Sequence, residues 1–181
     1  MQKGQSMTKE AEEKISATED IVVRVGTPAD VHGIMELGFM ACSENGVFAP
    51  NAEKILYDLW PALHCDNGIV GVIGDPGQQI EGFVLLRTGS LWYGDAPILE
   101  EKIVFVHPKF RSAKGGRARK LCEFSKKASD EIGLPLVIGI VSNSRTKGKV
   151  KLYERVFGEP AGAFFLYGAR TGSWQHEDAA E

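Results

Sequence analysis

An α/β (α+β) protein, with a mixed, mostly antiparallel sheet and one parallel βαβ crossover, is what this 181-residue sequence predicts. Three observations carry that expectation. Apolar runs at 69–73, 80–86 and 99–106 are separated by turn residues, as hairpin-connected strands require. A stretch of helical periodicity at about 114–132 lies between the last of these runs and a further apolar run at 136–141, an order that implies a right-handed parallel crossover. Two more helical patterns precede the strands.

The elements follow in order. Residues 1–20 are polar and charged without periodicity, which predicts a disordered arm. The β-branched run 21–25 opens a single domain spanning 21–170, and 171–181 reads as a flexible tail. Thr27, Pro28 and Asp30 supply an N-cap, a proline at the first helical position and an acid in the first turn. The helix they start has an apolar face of Val31, Ile34, Met35, Gly38 and Cys42. Asn51 can cap a second helix carrying Ile55, Leu56, Leu59 and Leu63, kinked or ended at Pro61. Asp75-Pro76-Gly77 turns the first hairpin. Leu91-Trp92-Tyr93 either extends the second strand or forms a separate aromatic segment.

The crossover helix places Ala118, Leu121, Cys122, Ser125, Ala128 and Ile132 on one face and is stopped by Gly133 and Pro135. The continuous apolar run 136–141 predicts a strand buried on both faces. Ser142-Asn143-Ser144 offers caps for a last helix ending near Phe157, and 163–167 reads as a closing strand.

Composition narrows the function. The chain is 43% hydrophobic, enough for one substantial core. Its formal net charge is -3, so a cationic cluster is a local feature, and nucleic-acid binding is disfavoured. Cys42, Cys65 and Cys122 are odd in number and widely spaced, which fits reduced thiols and a cytoplasmic protein. His64-Cys65 is a lone pair, so no metal site is expected. No apolar run approaches membrane-spanning length.

The cationic cluster is VHPKFRSAKGGRARKL, residues 106–121, just after the apolar strand. A helix N-terminus presents unpaired N-H groups and the positive end of the helix dipole, which together hold an anion. Gly115 and Gly116 allow close approach to the backbone, Ser112 and Ala113 obstruct little, and Arg111, Lys114 and Arg117 add charge suited to phosphates. No Walker loop and no dinucleotide fingerprint is present.

The segments Val104-Phe105-Val106-His107-Pro108-Lys109-Phe110-Arg111 through Arg117, and Leu152-Tyr153-Glu154-Arg155-Val156-Phe157-Gly158, resemble the acetyl-CoA-binding core of the GNAT superfamily of N-acyltransferases. They look closest to its phage and prophage-type members. The element order from 21 to 168 is similar throughout. Lys114 stands where the family's loop usually has its first glycine, Phe157-Gly158 replaces the common Gly-Phe, and the spacing from Asn143 to the tyrosine is longer than usual.

The resemblance implies acetyl-CoA as co-substrate, a small-molecule or peptide amine as acceptor, no metal, and room for a homodimer. It implies a cofactor site at Arg111, Ser112, Ala113, Lys114, Gly115, Gly116, Arg117 and Asn143, with the backbone of Val104 and Val106 along the pantetheine arm. It also implies that Tyr153 lies near the sulfur as general acid and that Glu100 occupies a strand position used for a base, with Glu101 or water as alternative bases. By strict strand alternation Glu100 shares a face with Lys102, Val104 and Val106, while Glu101 points to the opposite face. Trp92, Tyr93 and 42–50 are expected to line the acceptor site. A catalytically weak acyl-CoA-binding or interaction module is the alternative function, and the lysine at 114 is its best support.

Overall fold

The computed structural model describes residues 21–111, 116–143 and 145–169. Ser112, Ala113, Lys114 and Gly115, together with the expected N-terminal arm and C-terminal tail, lie outside the described residues.

The chain forms β1 (Arg24–Val25), α1 (Val31–Asn45), α2 (Ala52–Leu63), β2 (Gly68–Ile73), β3 (Gly82–Ser90), β4 (Pro97–Val106), α3 (Arg117–Ile132), β5 (Leu136–Ile138) and α4 (Thr146–Phe157). The sheet order is β1-β2-β3-β4-β5; all neighbours are antiparallel except β4 and β5, which are parallel. The expected fold class and crossover are therefore present.

Local chemistry sets the helix boundaries. Asp30 accepts the Thr27 N-H at 2.8 Å and is gripped by both terminal nitrogens of Arg24 at 2.7 and 2.8 Å. This carboxylate thereby fixes the short Pro28–Asp30 turn that leads into α1. Asn51 accepts the Lys54 N-H at 2.9 Å and caps α2, whose last turn contains Pro61. On α1 the buried residues are Ile34, Leu37, Gly38 and Ala41, a stripe rotated from the expected one because α2 packs beside the helix as well as the sheet beneath it.

Both sheet faces are covered. On one, α1 and α2 bury Ile34, Leu37, Leu59 and Leu63 against Val70, Val72, Phe83, Leu85 and Phe105. On the other, α3 buries Leu121 and Ala128 against Ile73, Val84, Leu86, Leu99 and Val106. Gly71 lies under α3, and a methyl group there would stand 2.6 Å from Phe124 Cδ1 and 2.9 Å from Val84 Cγ1. Only a residue without a side chain lets α3 approach the sheet this closely.

Two expected strands differ. The 136–141 run forms only the three-residue β5, and its residues are half-buried. It is an edge strand that pairs through Leu136, Val137 and Ile138 with Leu99, Glu100 and Glu101, so neighbours exclude water from one side only. Residues 163–167 adopt no strand: Phe164, Phe165 and Tyr167 are exposed. Their apolar character reflected no ladder partner among the described residues. The 91–93 segment is an exposed turn between β3 and β4, with Trp92 and Tyr93 in a T-shaped contact.

Candidate active site

Beyond Glu101, β4 has no strand partner on its β5 side among the described residues. The two parallel strands pair for three residues and then part. A cleft of about 1050 Å³ opens there, walled by β4, the start of α3 and one side of α4. Seven lysine or arginine side chains line it (Arg111, Arg117, Arg119, Lys120, Arg145, Lys149 and Arg155) against two glutamates, Glu44 and Glu123. In a chain of net charge -3 that concentration makes the cleft an attractor for a polyanion.

Val104, Val106, Arg111, Gly116 and Arg117 all line this cleft. Gly116 caps α3 with φ +67°, ψ -12°, a left-handed conformation that glycine adopts without the Cβ clash. The two arginines already have partners. Arg111 donates from Nε to the Val106 carbonyl at 2.6 Å, pairs with Glu44 at 2.7 Å, and lies over the Phe105 ring at 4.7 Å. Arg117 pairs with Glu81 at 2.6 Å and lies over the Phe110 ring at 5.4 Å. Asn143 is not part of the wall. Its amide donates to the Glu44 carbonyl at 2.9 Å and its Oδ1 accepts the Arg145 N-H, so it ties the start of α4 to the end of α1.

A smaller cavity of about 410 Å³ lies between the end of α1, β4 and the segment after β5, lined by Cys42, Asn45, Val47, Glu100, Lys102 and Ile140 among others. The two cavities share Asn45, Val104, Phe105, Lys149 and Tyr153 in their walls. Tyr153, which α4 carries into the interior, thus borders both. Trp92 and Tyr93 line neither cavity.

The strand alternation behind the Glu100 expectation is broken. Leu85 pairs with Ile103 but Leu86 pairs with Glu101, so Lys102 is an extra residue that reverses the order of faces. Cross-strand partners share a face, and the partner pairs show the result. Leu85 and Ile103 face α1 and α2, while Leu86, Val84 and Val104 face α3. Glu101, not Glu100, consequently shares the face of Val104 and Val106. Glu100 points to the α1 side and pairs with Lys102 at 2.6 Å.

Glu101 is 6% exposed, and its Oε1 accepts the Tyr153 hydroxyl at 2.5 Å. Its Oε2 is buried with no hydrogen-bond partner among the described residues. The Ser125 hydroxyl faces it from α3 but gives its hydrogen to the Leu121 carbonyl at 3.1 Å. Burial pushes the carboxyl up to about 7, against the opposing pull of Tyr153 and the Lys149 charge. The Tyr153 hydroxyl is raised by burial and by the neighbouring Glu101. Lys149 is lowered, first by burial. Sequence reading placed Glu101 on the opposite face because the bulge that turns it inward is decided by cross-strand register. It missed Glu44 because nothing in the order of residues brings the end of α1 to the start of the cationic loop.

No family model and no curated protein matches the sequence. Solved structures do resemble the chain. An AAC(6')-Iy structure in complex with the bisubstrate analogue CoA-S-monomethyl-acetylneamine superposes with TM-score 0.62 and 16% identity, over 81% of this chain and 96% of that one. A Trypanosoma brucei acetyltransferase gives 0.57 and 17%, over 81% and 98%. A GNAT family acetyltransferase of Staphylococcus aureus gives 0.51 and 14%, over 81% and 97%. The chain has the fold of these acetyltransferases.

Proposed function

We propose that this chain is an acetyl-CoA-dependent N-acetyltransferase in which a primary amine attacks the thioester directly. The observation that carries the reading is Tyr153 in the wall common to the cationic cleft and the smaller cavity. A phenol so placed borders a ligand in either compartment, as a group must that acts where two substrates meet.

The cationic cleft takes the coenzyme. Its phosphates lie toward the Gly116 end of α3, with Arg111 and Arg117 nearby. The pantetheine arm runs along the unpaired edge of β4 at Val104 and Val106, supplying the strand partner that β5 does not. The acceptor amine enters through the smaller cavity. Glu100 there is the carboxylate that takes the proton lost by the amine, and Tyr153 protonates the departing thiolate. A water-excluded seat also strengthens each of these interactions. The fold's likeness to acetyltransferases, one of them holding a coenzyme A conjugate, supports the co-substrate. The closer resemblance to phage-type members rests on the 106–117 and 143–158 motifs alone.

Calorimetric titration with acetyl-CoA, followed by release of free thiol across a panel of primary amines, tests the reading. Binding and amine-dependent release are expected. Tyr153→Phe should keep the affinity and lower turnover by roughly 10²- to 10⁴-fold, or less where water substitutes as the acid. Binding without release from any amine favours the interaction-module alternative. No binding overturns both.

A further inference from the structure

The Tyr153 hydroxyl donates to a buried carboxyl, and that arrangement needs a reason. Glu101 receives the phenol at 2.5 Å, is itself 6% exposed, and leaves Oε2 without a partner among the described residues. A carboxylate placed so is poorly compensated, whereas a carboxylic acid in the same place can donate as well as accept.

We propose that Glu101 is the proton reservoir behind Tyr153, a positioning residue that, as the neutral acid, donates to the phenol oxygen and frees the phenol hydrogen to face the thiolate. The proposal rests on the acetyltransferase reading above. The step balances: the Tyr153 O-H bond breaks as the S-H bond of coenzyme A forms, and the Glu101 O-H bond breaks as the Tyr153 O-H bond re-forms. Glu101 is left as carboxylate and regains its proton from solvent, to which Glu100 returns the one it took from the acceptor amine. In its ionised state Glu101 instead holds the phenol hydrogen, the arrangement seen here.

The groups facing Glu101 are consistent with this. Tyr153 and Lys149 approach from α4, and Cys122 and Ser125 from α3. Lys149 is the one cation among them, and its charge acts on Glu101 from α4. Cys122 is pushed up, first by burial and then by Glu101, and so stays a neutral thiol. The carboxyl titrates near 7, where both forms are populated and a proton can be stored and returned.

The test combines a signal that needs no turnover with a rate profile. Carbon NMR of the glutamate side chains of the free protein should show one carboxyl titrating near neutrality, absent in Glu101→Gln. In Tyr153→Phe its midpoint should rise, because the lost hydrogen bond favoured the ionised form. Wild-type turnover, measured with acetyl-CoA and any amine accepted, should fall about tenfold per pH unit above that midpoint. Glu101→Gln should be slow and lack this limb while binding acetyl-CoA normally, and Glu101→Asp should partly restore it. A Glu101 midpoint in the ordinary glutamate range, or Glu101→Gln turnover with an unchanged alkaline limb, overturns the proposal while leaving the acetyltransferase reading intact. Failure of the wild type to bind acetyl-CoA overturns that reading, and the delivery step with it.

Discussion

Replacing Glu101 with glutamine should stabilise the protein at pH 8 relative to the wild type and change it far less at pH 4. The carboxyl is raised from 4.5 to about 7 by burial, so between those values the folded chain holds a proton that the unfolded chain has released. Folding then binds more protons than unfolding, and wild-type stability falls as pH rises through this window. The window spans roughly 2.5 pH units, and at about 1.36 kcal/mol per unit the loss is on the order of 3 kcal/mol. The group is nearly fully buried, so solvent screening reduces this little. Glutamine keeps an oxygen for the Tyr153 hydroxyl and carries no charge to desolvate, so its own stability lacks that slope. Any fixed cost of the amide shifts both ends equally and cancels from the difference. For a chain of this size the change amounts to roughly 6–12 °C in melting temperature, accumulated between pH 4 and pH 8. Differential scanning calorimetry of both proteins at half-unit steps measures it. Parallel curves across the whole range would refute the argument, because they would mean that Glu101 ionises in the folded chain as it does in water.

The remaining predictions rest on backbone and packing. Gly71→Ala should cost about 1–3 kcal/mol by chemical denaturation, since its methyl group meets Phe124 and Val84 at under 3 Å and α3 must move off the sheet. Gly116→Val should lower acetyl-CoA affinity at least tenfold in calorimetry and cost about 1–2 kcal/mol of stability, because φ +67° is strained for a β-branched residue and its side chain crowds the helix start. Asp30→Asn should cost roughly 2–4 kcal/mol at pH 7, the consequence of leaving Arg24 and the Thr27 N-H without their carboxylate. Arg24 holds that carboxyl below its usual value, so the wild-type advantage is present above the unfolded carboxylate pKa and disappears as pH falls through the depressed folded one. Denaturation midpoints at pH 7 and pH 3 check the sign.

The helices and the central hairpins were legible in the residue order because their causes are local. Thr27, Pro28 and Asp30 start α1, Asn51 caps α2, Gly133 and Pro135 end α3, and Leu121, Cys122, Ser125 and Ala128 form the face that α3 buries. Each is a relation among residues within a few turns of one another, so no knowledge of the rest of the chain is needed. The faces of β4 were not legible in this way. Strict alternation puts Glu100 beside Val104 and Val106, and the extra residue at Lys102 puts Glu101 there instead. A bulge exists only as a mismatch between two strands, so one strand read alone cannot show it. The extent of β5 was likewise undecided, since 136–141 has the apolar content of a buried strand while only three residues find a partner. The pairings that shape the site join residues far apart in the chain: Glu44 with Arg111, Glu81 with Arg117, and Glu101 with Tyr153. Composition and spacing can nominate such residues, but only the packing of α1, β4, α3 and α4 determines which carboxylate meets which cation or phenol, because contact and desolvation arise between elements and not within them.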